Sequence, residues 1–142
     1  RVAVTIAGWQ VPVVHLAPIK AKQADFVATA ESLLGAPYLW GGKTSLGIDC
    51  SGLVQVALQA AGHACPRDSD MQELALGTVS SLSQLRRGDL VFWKGHVAIA
   101  RDGESLIHAN AHAMMVAIEP VADAVSRIKA AGGEITTVKR II

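Results

Sequence analysis

Cys50 has the setting that most invites chemistry. It follows a loop holding Gly41, Gly42 and Gly47, and it opens an apolar helical pattern in the string Gly47-Ile48-Asp49-Cys50-Ser51-Gly52. A helix N-terminus carries partial positive charge, which favours the thiolate, the nucleophilic form of cysteine. Cysteines in apolar chains are more often buried and inert, so position alone leaves the catalytic and structural readings level. Cys65, followed by Pro66 in a loop, is read as inert, and both cysteines are read as free thiols.

A nucleophilic cysteine needs a base, and five histidines compete for that role. His15, His63 and His112 lie at strand, helix-end and turn positions where surface or capping roles are the default. His96 and His108 sit inside the apolar strings Gly95-His96-Val97-Ala98-Ile99 and Leu106-Ile107-His108-Ala109. One histidine inside a strand is usually a core residue. Two on adjacent strands of a hairpin, with a helix-start cysteine elsewhere, fit a base and the group that orients it. Metal binding is the rival use of these side chains. No C-x-x-C or H-E-x-x-H is present, and no acidic ligand neighbours the histidines, so no metal or other cofactor is expected. Asp49 reads either as a helix N-cap or as a carboxylate that holds a substrate cation beside the nucleophile. Trp40 either lines a cleft as a substrate contact or packs under its loop. Trp93 reads as sheet core and Trp9 as part of an N-terminal arm.

These side chains need elements to position them. From Ala21 the pattern is helical, with Phe26, Val27, Ala30, Leu33 and Leu34 on one face until Gly35 and Pro37 stop it. A second helix runs from the Asp49–Ser51 region to Gly62. Ser69-Asp70-Met71-Gln72 has capping-box spacing and starts a third, which ends near Gly77. Beyond Leu85 the period changes to that of strands, over 90–93, 96–100, 105–110, 115–119 and 135–142, with a helix over 121–131 between the last two. Helices followed by short strands predict an α+β fold on an antiparallel sheet. Residues 1–18 form a β-rich arm too short to be stable alone, so two units are assigned: 1–18 and 19–142.

Composition bounds the rest. The 142 residues are 51% hydrophobic and 18% charged, which excludes intrinsic disorder, and a net charge of +1 gives no footprint for nucleic acid. No apolar run approaches the roughly 20 residues of a membrane helix, so no membrane insertion is expected. Arg1 follows no charged-then-apolar leader, which reads as a processed or trimmed start.

Five strings in order resemble the NlpC/P60 family of bacterial cell-wall cysteine peptidases: Pro37-Tyr38-Leu39-Trp40-Gly41-Gly42, Asp49-Cys50-Ser51-Gly52, Arg87-Gly88-Asp89-Leu90-Val91-Phe92-Trp93, Gly95-His96-Val97-Ala98-Ile99 and Ile107-His108-Ala109. Gly8-Trp9-Gln10-Val11-Pro12 with His15-Leu16-Ala17-Pro18 also resembles the exit of a bacterial SH3-like domain, which precedes the catalytic domain in one branch. The resemblance implies a minimal papain-like fold, with helices packed on a central antiparallel sheet. It implies Cys50 as nucleophile, His96 as base, His108 as the orienting third residue and Tyr38 near the oxyanion. It further implies cleavage between γ-D-glutamate and a diamino acid in peptidoglycan stem peptides. The substrate of the SH3-bearing branch is L-Ala-γ-D-Glu-diamino acid, its free amine held by positions matching Asp49, Ser51 and Ser69. Two other readings remain: a catalytically silent peptidoglycan-binding module, and an amidase or acyltransferase on another substrate. A monomer is expected, in the cytoplasm as a recycling enzyme rather than periplasmic or secreted.

The two histidines must share a sheet face, which constrains the turn between their strands. A two-residue Asp102-Gly103 turn would place them on opposite faces. A three-residue loop of Arg101, Asp102 and Gly103 pairs Ala100 with Glu104 and His96 directly with His108, with Gly103 left-handed. Ala98 and Ala100 would then share the histidine face and let the Cys50 helix approach closely.

Overall fold

The period change near Leu85 is also where the architecture changes, in a computed structural model that covers residues 1–142. Three helices precede the main strands: α1 (Phe26–Ser32), α2 (Cys50–Ala60) and α3 (Ser69–Ala75). The first begins later than the periodicity from Ala21 suggests. Asp25 caps it by accepting the Val27 N–H at 3.0 Å, and a capped start outweighs helix-forming residues upstream of it. Helix α3 also departs from expectation. Its N-cap is Asp68 rather than Ser69 and no side-chain capping bond forms, because Gln72 turns inward to bond backbone carbonyls.

Six strands form one antiparallel sheet in the order β5 (Thr78–Ser80), β10 (Ile135–Arg140), β6 (Asp89–Trp93), β7 (His96–Ala100), β8 (Ser105–Asn110), β9 (Met115–Pro120). Helix α4 (Val121–Ala130) lies between the last two strands in the chain. The alternation of each strand divides the core between two faces. Leu90, Phe92, Val97, Ile99 and Ile107 pack with Leu53, Val54, Ala57 and Leu58 of α2 and with Phe26, Val27 and Ala30 of α1. Val91, Trp93, Ala98, Ala100 and Leu106 pack with Ala124 of α4. Each fully buried Leu, Ile or Phe contributes about 1.5–3 kcal/mol, so the α2 face dominates stability.

The β7–β8 hairpin corrects the expected register while keeping its parity. Ile99 pairs Ile107, Ala100 pairs Leu106, and Arg101 N–H bonds Ser105 O at 2.9 Å. Asp102 Oδ1 accepts the N–H groups of Glu104 and Ser105, both at 2.8 Å, so an Asx-type turn closes the loop and Gly103 is not left-handed. His96 and His108 are therefore diagonal rather than opposite, and still on one face. That face is not the α2 face: Ala98 and Ala100 pack toward α4, and α2 rests on Val97 and Ile99.

Two short pairs complete the chain. β1 (Val2–Val4) and β2 (Gln10–Pro12) pair only with each other and expose Val4, Ile6 and Trp9. β3 (Lys43–Thr44) pairs β4 (Gly47–Ile48) inside the segment read as loop, just before Cys50.

Candidate active site

Cys50 is the first residue of α2, held there by a capping network. Asp49 accepts the Gly52 N–H at 2.7 Å through Oδ1 and the Gly41 N–H at 2.9 Å through Oδ2. Gly52 must be glycine because a Cβ there would lie 2.5 Å from the Gly42 carbonyl oxygen. The half-buried thiol is pushed up by desolvation, and further by the Asp49 charge. The N–H groups of Val97, Ser51 and Cys50 itself pull it back only in part. Burial thus outweighs the helix terminus and favours the thiol over the thiolate. Cys65 is pushed further, to about 11, by burial.

Arg67 is the residue that sequence reasoning missed on this side. Its guanidinium bonds both Asp49 oxygens at 2.8 Å, the Ser51 hydroxyl at 2.9 Å and the Gly42 carbonyl at 3.1 Å. With the two N–H bonds and a 3.3 Å bond from Ser51 Oγ, Asp49 has both oxygens fully engaged by protein donors. A carboxylate offers about four lone-pair sites, so none is open to a substrate ammonium while Arg67 stays. The fork also holds the Asp49 carboxyl below the usual range despite desolvation. Gln72 is the second unforeseen member, its Nε2 bonding the carbonyls of Ser51 and Pro66 at 2.9 Å each.

The two histidines meet across β7 and β8, with His96 directly before Val97, whose N–H reaches the Cys50 thiol. His96 Nε2 and His108 Nδ1 are 2.7 Å apart, and His108 Nε2 is 2.6 Å from Glu119 Oε1. Arg127 of α4 donates to both Glu119 oxygens at 2.5 and 2.6 Å. His96 Nδ1 carries no hydrogen bond. The Trp93 ring lies beside His96 with centroids 5.7 Å apart, restricting how the imidazole can turn. Burial holds His96 neutral, down to about 3, with His108 and Arg127 adding to the effect. His108 is lowered mainly by burial, against the pull of Glu119. Glu119 is held at about 2, chiefly by Arg127. Glu119 and Arg127 read in sequence as a strand-end charge and a helix-surface charge. A charged residue on the same strand face as an inward histidine was the one available signal.

A cleft of about 710 Å³ opens over Cys50, lined by Tyr38, Trp40, Asp49, Ser51, Ser69 and Lys94 among others. Tyr38 is fixed because its N–H bonds Met114 O at 3.0 Å and Ile48 N–H bonds Pro37 O, pinning its segment between the β8–β9 turn and β4. Burial, then Cys50 and Asp49, raise the Tyr38 hydroxyl, so it remains a donor. Trp40 is 84% exposed at the lip of the cleft rather than packed under its loop. The structure thus gathers Cys50, Tyr38, Asp49, Ser51, Ser69 and Trp40 around one cleft, with His96 next to Val97 on the strand that reaches Cys50 and His108 bonded to His96 from β8.

The sequence model of the NlpC/P60 family matches residues 35–131, which span α2, β6, β7 and β8. The chain belongs to the NlpC/P60 family. The solved NlpC/P60 domain of the peptidoglycan hydrolase SagA shares 36% identity with a TM-score of 0.67, covering 82% of this chain and 96% of that one. Protein P54 of Enterococcus faecium is 45% identical over 92 residues, 61% of this chain and 18% of its own length. The γ-D-glutamyl-L-lysine dipeptidyl-peptidase of Bacillus subtilis (strain 168) is 36% identical over 98 residues, 63% of this chain and 33% of its own. The chain therefore matches a third or less of these two curated relatives. Against other NlpC/P60 members, the mixed helix and antiparallel-sheet fold is the shared part.

Proposed function

We propose that the chain is a cysteine peptidase that hydrolyses the γ-D-glutamyl–diamino acid bond of peptidoglycan stem peptides through a Cys50 thioester. The observation that carries this reading is the bonded His96–His108 pair on β7 and β8, with an unpartnered His96 Nδ1, together with a cysteine that opens α2 within a cleft and whose thiol is met by the N–H of Val97, the residue after His96. The B. subtilis relative, named for γ-D-glutamyl-L-lysine cleavage, supports the choice of bond.

A resting thiol and a neutral imidazole make general-base attack the consistent route. His96 Nδ1 takes the Cys50 proton as Sγ bonds the γ-carbonyl carbon of D-glutamate. The oxyanion is met by N–H groups at the start of α2 and by the Tyr38 hydroxyl. The imidazolium gives its proton to the departing amine as the C–N bond breaks. Water then attacks the thioester with His96 again as base, releasing L-Ala-D-Glu and the thiol. Ser51, Ser69 and Trp40 are assigned to substrate. Asp49 is assigned to ordering the cleft through Arg67 and, if the guanidinium swings aside, to the substrate amine. Residues 1–18 are assigned to the end of an upstream SH3-like unit, which fits a hairpin that pairs only with itself and lies outside the matched segment.

The test is lysine release from L-Ala-γ-D-Glu-L-Lys, followed by chromatography, with Cys50→Ala alongside. Release by the parent and loss in Cys50→Ala, its fold intact, are expected. Release that survives Cys50→Ala would end the reading. Acetylating the alanine amine separates the branches: a sharp fall in kcat/KM is expected of a recycling enzyme, and unimpaired cleavage marks one that acts on acylated wall.

A further inference from the structure

The base side of the site continues past its two histidines into a fully bonded chain, His96–His108–Glu119–Arg127, with distances of 2.7, 2.6, and 2.5 and 2.6 Å. Its far end lies on α4, an element that takes no part in the cleft. We infer that Glu119, fixed by Arg127, is a positioning residue that sets the tautomer of both histidines and so makes His96 Nδ1 the basic atom. The inference rests on the proposed peptidase reading for its catalytic meaning, though not for its physical content.

The argument is one of donors and acceptors. An ionised carboxylate only accepts hydrogen bonds, and Arg127 only donates. The fork from Arg127 onto both Glu119 oxygens fixes that carboxylate in the ionised form, in accord with its lowered titration. His108 Nε2 must then carry the proton it donates to Glu119. A neutral His108 is left with a lone pair on Nδ1, so the hydrogen in the 2.7 Å contact belongs to His96 Nε2. The remaining nitrogen of a neutral His96 is a bare Nδ1, as a general base requires. Reversing the chain would put protons on His108 Nδ1 and His96 Nδ1 and leave the site without a base. That arrangement needs a protonated Glu119, which Arg127 opposes.

Protonating both nitrogens of His108 would have the same disabling effect. Its side chain is fully buried. Of the groups that face it, Glu119 favours the charged form, while burial, Arg127 and His112 oppose it. Arg127 thus does two things: it keeps Glu119 an acceptor, and it balances the carboxylate so that His108 is polarised without being charged. The same ordering accounts for placement. Glu119 shares a strand face with His108, since Leu106 pairs Glu119 and His108 pairs Ala117 in the β8–β9 register. Arg127 is reached only because α4 packs back on that face through Ala124.

Nitrogen-15 labelling of the histidines reads the tautomers directly, without substrate. Long-range proton–nitrogen correlation at pH 7 is expected to show His96 and His108 both neutral and both protonated on Nε2. A wild-type His108 protonated on Nδ1 overturns the inference. Glu119→Met removes the acceptor and is expected to give mixed tautomers at both rings. It should also lower kcat for L-Ala-γ-D-Glu-L-Lys roughly 10- to 100-fold, the range seen when the outer partner of a metal-bound histidine is lost. KM should change little. Glu119→Gln keeps an amide oxygen able to accept the same bond, so Nε2 protonation and most of kcat are expected to return. Wild-type tautomers and kcat in Glu119→Met, or Glu119→Gln no better than Glu119→Met, overturn the inference. Should Glu119→Met fail to fold, the wild-type and Glu119→Gln spectra decide alone. Nε2-protonated rings in a chain that cleaves no γ-D-glutamyl peptide would refute the peptidase reading and uphold the relay.

Discussion

The nucleophile and the base are each backed by an arginine fork on a carboxylate, Arg67 on Asp49 and Arg127 on Glu119, and the two pairs do different work. Asp49 touches two backbone N–H groups and the Ser51 hydroxyl, so it shapes a loop and a helix start. Glu119 touches an imidazole, whose two nitrogens differ in kind, so it sets the direction of a proton chain. The same ion pair is therefore architectural beside Cys50 and directional beside His108. What decides is whether the group it bonds has one protonation pattern or two.

Breaking the architectural pair should have the larger effect. In Arg67→Met, Asp49 keeps its charge under the Cys50 helix with two of its five donors gone. The pair is part-exposed, 28% at Arg67, so about 2–3 kcal/mol of stability should be lost, below the figure for full burial. That corresponds to a fall in Tm of roughly 8–10 °C by thermal unfolding. Lysine release should fall with it, because an unbalanced Asp49 raises the Cys50 thiol further. Gly52→Ala sharpens the same point. Its Cβ would sit 2.5 Å from Gly42 O and 2.9 Å from Asp49 Oδ1, so activity should drop at least tenfold in a folded chain.

Arg127→Met should cost less in stability, about 1 kcal/mol, because the residues it joins are held by β9 and α4 independently. Its mark should appear in kcat instead, as argued for Glu119. Equal Tm losses in Arg67→Met and Arg127→Met would erase the contrast.

Acid stability separates the two ends of the base-side chain by pH window. His96 titrates in the fold at about 3 against an ordinary 6.5, so its contribution is full above pH 6.5 and lost as pH falls toward 3. Glu119 titrates at about 2 against 4.5, so its contribution is lost only below pH 4.5. Urea midpoints should therefore decline already between pH 6.5 and 4.5, by about 1–2 kcal/mol of stability. His96→Gln should flatten that segment, and Arg67→Met should leave its slope in place.

The smallest expected effect is chemical selectivity. Iodoacetamide should modify Cys50 faster than Cys65 because burial pushes Cys65 further, to about 11. Both rates should still be climbing above pH 8, and a Cys50 rate already flat at pH 6 would contradict a resting thiol.

Strands, helices and the His96–His108 contact were legible because each depends on local period or on motif order. The β7–β8 pairing missed by two residues for a local reason: the Asp102 carboxylate, not Gly103, organises the turn. Which helix covers the histidine face was not legible, since Ala98 and Ala100 suit any close-packed neighbour. Arg67, Gln72, Glu119 and Arg127 were missed because each partner lies on a different element, and a lone charge or amide in a loop or on a helix looks the same whether solvated or paired. Asp49 was legible as a helix cap. The cation it holds in the fold proved to be the chain's own Arg67.

The proposed chemistry passes through a thioester, and hydroxylamine intercepts thioesters. The direct measurement is the product of L-Ala-γ-D-Glu-L-Lys cleavage with hydroxylamine present. L-Alanyl-D-glutamyl γ-hydroxamate is expected beside the free acid, in proportion to hydroxylamine, and none should form with Cys50→Ala. Lysine release yielding the free acid alone at every hydroxylamine concentration would contradict an acyl-enzyme on Cys50.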